Sequence, residues 1–255
     1  MNIIVRNFPN MLTCGNLICG CIATGAAFHH NFSTAFLFIL IGAMFDFFDG
    51  MVARALGVSG RLGVELDSLA DVVTFGVAPS AMVFTLFTKV HYPAFMYNEF
   101  WFTVLPFTAF LIAAFSAMRL AKFNIDERQH TTFIGMPTPA NAIFWGAMLS
   151  SSQDYLCSAR FNVLFLLAFV VLFCWLLVCN VPMFALKFKN LSWADNKAKF
   201  VFVIVALLIL AASVVAGACG GGDVVKSLSQ GVASVIGFYI LYSIMMSYFQ
   251  RGDEQ

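Results

Sequence analysis

Residues 46–71 read DFFDGMVARALGVSGRLGVELDSLAD, and this segment decides how the chain folds. It holds four aspartates inside a strongly apolar sequence. An aspartate at the centre of a membrane helix costs about 2.5–3.5 kcal/mol on insertion scales. Four of them in one short segment therefore indicate a shared binding site.

The spacing of the aspartates predicts two helices joined by a turn. The first pair is three residues apart and the second pair is four apart, so each pair lies on one face of a helix. Residues 55–62 contain Gly57, Ser59 and Gly60, which predict the turn. A hairpin of this kind brings the four carboxylates together.

Four carboxylates at short range need a counter-charge, and a divalent cation is the simplest one. Carboxylate oxygens favour Mg²⁺ or Mn²⁺, with Ca²⁺ as an alternative, and four of them can support two ions. The other interpretation, separate helix-end charges or ion pairs, is disfavoured because only one arginine of the pattern lies among the acids. The predicted metal ligands are Asp46, Asp49, Asp67 and Asp71.

Small residues accompany the acids on the same helix faces. Gly50, Ala53 and Gly63 lack bulk, so a ligand can approach the backbone there. Arg54 adds a planar cation suited to a phosphate group. The segment therefore predicts a site for a metal ion together with a phosphate-bearing ligand.

The pattern Asp-x2-Asp-Gly-x2-Ala-Arg-x8-Gly-x3-Asp-x3-Asp resembles the signature of the CDP-alcohol phosphotransferase family. All eight signature residues are present at the family's spacing. The resemblance implies a CDP-linked lipid as donor, in most members CDP-diacylglycerol. It also implies that Asp71 is the catalytic base, and that the donor contacts Gly50, Ala53, Arg54 and Gly63.

Composition places the chain in a membrane. It has 255 residues, of which 61% are hydrophobic and 11% charged, whereas soluble domains are about 45–50% apolar and about 25% charged. The predicted fold class is an all-α polytopic membrane helix bundle. A net charge of +1 argues against nucleic acid as a partner.

We predict eight membrane spans: a six-helix catalytic core in residues 1–186, and a basic loop with a two-helix hairpin in residues 187–255. We interpret the hairpin as a scaffold or as a homodimer contact. Pro79 predicts a kink in the third span. The predicted spans are 10–28, 33–54, 63–88, 101–123, 137–153, 161–184, 199–218 and 228–249.

The positive-inside rule predicts the orientation of these spans. With an inside N-terminus, eleven Lys and Arg residues fall on the inside and three on the outside. We therefore expect an integral protein of a prokaryotic cytoplasmic (inner) membrane, with both termini and the aspartate cluster facing the cytoplasm.

Two further groups of polar residues lie inside apolar sequence. Asn10, Thr13 and Asn16 share one face of the first span, where helix packing and ligand binding are equally good explanations. Arg119 and Lys122 end the fourth span, as positive-inside anchors or as a site for a phosphate or carboxylate. A resemblance to one branch of the family favours ligand binding for both groups, and we predict all five residues as acceptor or phosphate contacts.

A second resemblance, to the membrane-integral phosphatidylserine synthase branch of the family, rests on four segments: residues 9–16, 75–79, 119–124 and 135–140. Lys122 departs from it, because the branch has arginine there. The resemblance implies L-serine as acceptor, with Arg119 or Lys122 on its carboxylate. Glycerol 3-phosphate or inositol phosphate is the alternative acceptor.

Two interpretations from other classes are weaker. A cation-coupled transporter would use the aspartates as an ion site. It would be expected to have a matching acidic segment in the other half of the chain, and the sequence has none. A purely structural membrane protein would have no need of the cluster.

Overall fold

The computed structural model describes residues 3–58, 60–126, 133–184 and 193–252. Its helices and strands, in chain order, are α1 (Ile3–Phe28), α2 (Phe32–Leu56), α3 (Arg61–Asp71), a π-helix (Val72–Val77), α4 (Ala78–Phe87), a 3₁₀ turn (Ala94–Met96), α5 (Glu99–Val104), a second 3₁₀ turn (Leu105–Phe110), α6 (Leu111–Ile125), β1 (Phe133–Ile134), α7 (Thr138–Leu156), α8 (Val163–Val178), β2 (Pro182–Met183), α9 (Trp193–Cys219) and α10 (Val224–Gly252).

The prediction of an all-α polytopic bundle is confirmed. Within the described parts of the chain, six helical segments are long and apolar enough to cross a membrane. The predicted fifth and sixth spans correspond to α7 and α8. Helix α8 has only 16 residues, and α7 is largely enclosed by α2, α4 and α10, so its polar side chains need not face lipid. The six segments are Val5–Phe28, Phe32–Leu56, Arg61–Phe87, Glu99–Ile125, Asn196–Cys219 and Val224–Tyr248.

The start of α1 differs from the expectation that the first span begins near Pro9. The helix begins at Ile3 and Pro9 lies inside it. A proline removes one helical hydrogen bond, and membrane helices tolerate this where nearby side chains and neighbouring helices compensate.

The turn between α2 and α3 is tighter than the predicted 55–62 segment. Helix α2 runs to Leu56, and Gly57 closes it in the left-handed conformation with φ 63°, which glycine adopts without a Cβ penalty. The amide of Val58 donates to the carbonyl of Ala53 over 3.1 Å. The short turn connects the two helices, and α1 packs against both of them.

The predicted kink at Pro79 takes the form of a π-helix just before it. Pro79 has no N–H, so the carbonyl of Phe75 loses its α-helical partner. The backbone of Ala78 instead donates to the carbonyl of Val73, five residues earlier, and the hydroxyl of Ser80 donates to the carbonyl of Gly76 over 2.7 Å. The backbone before Pro79 thus forms one wide turn, in which the carbonyls of Val73 and Gly76 both have partners.

The π-helix is held closely against α1 and α2. The hydroxyl of Thr74 donates to the carbonyl of Asn16 in α1 over 2.9 Å. Glycines make this approach possible: a Cβ on Gly42 would lie 2.7 Å from Cγ2 of Thr74, and one on Gly20 would collide with the same residue. Asp71, the last residue of α3, is fixed by this contact region.

The hairpin formed by α9 and α10 packs onto the rest of the bundle, chiefly through contacts of α10 with α7 and β2. The hydroxyl of Tyr239 donates to the carbonyl of Phe184 over 3.1 Å. The amide of Phe184 donates to the hydroxyl of Ser243 over 3.2 Å. These bonds hold the segment that follows α8.

A two-residue antiparallel ladder, which the sequence did not predict, joins the start of α7 to the end of α8, with Phe133 opposite Met183. Gly135 follows β1 with φ 75°, and a Cβ there would lie 2.8 Å from the carbonyl oxygen of Leu177. Both its conformation and its close contact therefore require glycine. The ladder fixes where α7 enters the bundle.

Candidate active site

Three of the four predicted metal-ligating aspartates converge between α2 and α3. Carboxylate oxygens of Asp46, Asp49 and Asp67 all lie within 4.8 Å of one another. Asp49 is buried and the other two are half-buried. The hairpin predicted from the sequence thus produces the expected close group of carboxylates.

The surroundings of these carboxylates fit a divalent cation. Oδ1 of Asp67 is buried and has no hydrogen-bond partner among the residues that the structure describes. An unsatisfied buried oxygen is costly unless a cation or a donor reaches it. The three side chains offer only carboxylate oxygens, the ligand type that Mg²⁺ and Mn²⁺ prefer.

Helix α1 supports the aspartates through two buried polar side chains. The hydroxyl of Thr13 donates to Oδ2 of Asp49 over 2.6 Å. The amide Nδ2 of Asn16 donates to Oδ1 of Asp71 over 3.0 Å. Thr13 and Asn16 were predicted as acceptor contacts. Their hydrogen bonds also orient the carboxylates of Asp49 and Asp71.

Asp71 lies beside the group of three carboxylates but is not part of it. It is 7% exposed, and it lies within electrostatic range of Asp46, Asp67 and Arg119. The structure therefore separates the predicted base from the closest set of metal-ligand candidates while keeping it next to them.

A cavity of about 330 Å³ opens beside the turn between α2 and α3, against the first half of α1. Asn10 and Thr13 contribute to it from α1, and Asp49 and Asp67 border it. All the positions that the family resemblance assigned to the CDP-lipid line this donor cavity, namely Gly50, Ala53, Arg54 and Gly63.

A second cavity, of about 420 Å³, lies between the end of α6 and the end of α8. Arg119 and Lys122 both line it. Lys122 is exposed, whereas Arg119 is only 6% exposed. Arg119 also lies within electrostatic range of Asp71, whereas Lys122 stays on the exposed side of this second cavity.

The guanidinium of Arg119 presents one open edge. Its Nε and Nη2 atoms are buried and have no hydrogen-bond partner in the described parts of the chain. These two nitrogens form one side of the planar group, the geometry that binds a carboxylate through two parallel hydrogen bonds. The ring of Phe123 lies 5.1 Å from the guanidinium carbon.

Three more buried polar side chains, on α6 and α7, were not predicted as site residues from the sequence. Ser116, Thr138 and Asn141 are fully buried, and their side-chain polar atoms lack partners among the described residues. Ser116 is three residues before Arg119, and Thr138 three before Asn141. This helical spacing was the available signal.

Comparisons with known proteins agree with the pattern of the aspartates. A model of the CDP-alcohol phosphatidyltransferase family matches residues 6–175. The CDP-diacylglycerol–serine O-phosphatidyltransferase of Bacillus subtilis is 44% identical over 135 residues, which cover 51% of this chain and 68% of that protein.

Proteins of the same name from two other bacteria match over longer stretches. The Helicobacter pylori protein is 29% identical over 243 residues, which cover 93% of this chain and 90% of that protein. The Mycobacterium bovis protein is 32% identical over 212 residues, which cover 80% of this chain and 69% of that protein. The similarity to the Helicobacter protein thus extends into the C-terminal hairpin.

Proposed function

Since the chain belongs to the CDP-alcohol phosphatidyltransferase family, we propose that it transfers a phosphatidyl group from CDP-diacylglycerol to the hydroxyl of L-serine, giving phosphatidylserine and CMP. The observation that carries this proposal is the donor cavity, whose walls contain the signature residues and whose border contains Asp49 and Asp67. The names of the relatives support serine as the acceptor.

The donor cavity holds the cytidine and the two phosphates. Gly50 and Gly63 keep its walls at backbone level, since a Cβ on Gly50 would lie 3.4 Å from Nη1 of Arg54 and one on Gly63 would lie 3.4 Å from Oδ1 of Asn10. Arg54 binds a phosphate oxygen. The acyl chains stay among the exposed apolar side chains of α2, such as Phe47, Phe48 and Met51.

The carboxylates of Asp46, Asp49 and Asp67 hold the divalent cation, with Mg²⁺ or Mn²⁺ as the expected ion, and Asp71 completes the set if two ions bind. A bound cation neutralises the pyrophosphate and stabilises the departing CMP. Thr13 keeps the carboxylate of Asp49 directed toward the group through its 2.6 Å hydrogen bond.

Asp71 is the general base. Asn16 holds one of its carboxylate oxygens, which leaves the other for the proton of the acceptor hydroxyl. As the serine oxygen forms its bond to the phosphorus attached to the lipid, the bond from that phosphorus to the CMP oxygen breaks. The proton passes to the carboxylate of Asp71.

Arg119 binds the carboxylate of serine through its open edge. The Nε and Nη2 atoms match a two-point contact, and the neighbouring Asp71 then lies within reach of the hydroxyl. Glycerol 3-phosphate or inositol phosphate carries a phosphate, which would call for a richer group of cations here. A single buried arginine favours a carboxylate.

The protein acts in the cytoplasmic membrane of a prokaryote with its active site facing the cytoplasm. Serine and CMP are soluble in water, whereas the donor and the product are lipids, so a site at the membrane surface serves both. The excess of Lys and Arg at the predicted inside loops supports this orientation.

The test is acceptor-dependent release of CMP by the purified protein. The protein is incubated with CDP-diacylglycerol, Mg²⁺ or Mn²⁺, and in turn serine, glycerol 3-phosphate or inositol phosphate. We expect CMP only with serine. Release with glycerol 3-phosphate and not with serine would refute serine as the acceptor while leaving the family chemistry intact.

A further inference from the structure

Four buried polar side chains lie on the two helices that pack against the π-helix following Asp71. Ser116 and Arg119 come from α6, and Thr138 and Asn141 come from α7. Helices α6 and α7 both pack against the π-helix. Ser116 marks the contact directly, because a Cβ placed on Gly76 would lie 3.3 Å from its Cβ.

The side-chain amide of Asn141 is the most unusual of these groups. The residue is fully buried, and neither Nδ2 nor Oδ1 has a partner in the part of the chain that the structure describes. A buried polar group without a hydrogen-bond partner lowers the stability of the fold. Such an amide destabilises the fold unless a ligand forms hydrogen bonds with it.

The chemistry of these groups divides into two kinds. The Nε and Nη2 atoms of Arg119 are donors to an anion. Oδ1 of Asn141 and the hydroxyl oxygen of Thr138 are acceptors, which an ammonium group can reach with its N–H bonds. A free amino acid carries both charges on one carbon, so donors and acceptors must lie side by side to bind it.

We propose that Asn141 and Thr138 bind the amino group of the acceptor and thereby select an amino acid over other alcohols. This inference rests on the proposed function. Arg119 takes the carboxylate, the α7 pair takes the ammonium group, and the hydroxyl is left for Asp71. The role of the α7 pair is recognition and not proton transfer.

The experiment compares Asn141→Leu with the wild type using serine and 3-hydroxypropionate, which has the same hydroxyl and carboxylate but no amino group. In the wild type we expect a much higher kcat/KM for serine. In Asn141→Leu we expect the KM for serine to rise roughly 10–100-fold and the KM for the donor to stay within about twofold. The ratio of kcat/KM for serine to kcat/KM for 3-hydroxypropionate should fall toward about twofold.

Thermal unfolding separates recognition from a structural role. Leucine is close to asparagine in size and needs no partner, so the variant should unfold at the same or a higher temperature. Ser150→Ala is the matched control, because Ser150 lies in the same helix and donates to the carbonyl of Ala147 over 3.1 Å. It should leave the KM for serine unchanged.

Thr138→Val is a second variant that keeps the test decisive if leucine is not tolerated at position 141. An unchanged KM for serine in both variants would overturn the inference, as would a loss of thermal stability in both with the preference for serine intact. If the wild type releases no CMP with serine, the proposed function is wrong and the inference falls with it.

Discussion

The two halves of the active site differ in how their polar groups are satisfied. On the donor side, α1 supplies partners for the carboxylates, with Thr13 on Asp49 and Asn16 on Asp71. On the acceptor side, Arg119 of α6 and Asn141 of α7 are buried with open hydrogen-bonding positions in the described chain. The carboxylates of Asp49 and Asp71 are therefore oriented before any ligand binds, although Oδ1 of Asp67 is also open in the described chain.

The difference indicates that binding energy has a different effect on each side of the site. A carboxylate held by a neighbouring hydroxyl or amide keeps its orientation, which favours a cation and fixed pyrophosphate geometry. Buried polar groups without partners form hydrogen bonds only when a substrate supplies them. They therefore discriminate strongly against a substrate that cannot form those bonds. Orientation dominates on the donor side and selection on the acceptor side.

The largest effect is expected for Asp71→Asn, which keeps the shape of the side chain but removes the proton acceptor. We expect kcat for CMP release to fall about 10²–10⁴-fold with donor binding partly retained. Glu65→Gln is the control, because Glu65 is an exposed acid in the same helix. Wild-type turnover in Asp71→Asn would remove this residue from the role of base.

The next largest effect is expected for Asp46→Asn, because it removes one of the three converging carboxylates. The metal concentration at half-maximal activity should rise by on the order of 100-fold, and binding of CDP-diacylglycerol should weaken with it. Adding a chelator to the wild type should abolish CMP release, and Mg²⁺ or Mn²⁺ should restore it. Activity that survives full metal removal would contradict the donor side as described.

Arg119→Lys tests the acceptor side. Lysine keeps the charge but loses the planar fork, so we expect the KM for serine to rise about 10–100-fold while the KM for the donor changes little, a loss of the size expected for hydrogen bonds to charged groups. Lys226→Gln, which alters an exposed ion pair with Asp154 at 3.5 Å, serves as the control. An equal change in both KM values would show that the two halves are not separate.

Thr13→Val removes the hydroxyl that orients Asp49 and keeps the volume of the side chain. Loss of such a supporting bond typically costs about 10–100-fold in metal affinity, and we expect a value near the lower end because two other carboxylates remain. Metal titration of CMP release measures it. A rise in the KM for serine with metal affinity unchanged would instead favour the predicted acceptor contact of Thr13.

The smallest effect is expected for Tyr239→Phe in the C-terminal hairpin. The change removes the hydrogen bond to the carbonyl of Phe184, which is worth about 0.5–1.5 kcal/mol of stability. Thermal unfolding should show a small loss, and the KM for the donor should stay constant. A change in the KM for serine alone would connect the hairpin to the acceptor side, because Tyr239 also lies within electrostatic range of Arg119.

Sequence spacing predicted the donor side well. Helical periodicity places Asp46 and Asp49 on one face and Asp67 on the other arm of a hairpin, and the glycines around residues 57–60 fix the reversal, so local rules suffice. The donor cavity follows from small residues on the same faces. The distinction between Asp71 and the other three carboxylates depends on Asn16, a residue 55 positions away.

The acceptor side could be predicted only in part. Arg119 was expected from its place at the end of a span, but the burial of its guanidinium depends on how α6 meets the π-helix and α10. The sequence alone did not identify Asn141 as a site residue, because nothing local in the sequence shows that α7 is enclosed by other helices. The β1–β2 ladder joins segments 49 residues apart, which short-range patterns do not detect.

The π-helix has a consequence for how residues 61–87 tolerate insertions and deletions. Its wide turn takes up one residue more than an α-helical turn does, so the apolar face of α4 is rotated about 100° from where an uninterrupted helix would put it. Removing one residue between Val72 and Val77 would convert the wide turn into an α-helical one and leave the flanking helices in phase. The same deletion elsewhere in residues 61–87 would rotate α4 by about 100° relative to the acidic face of α3.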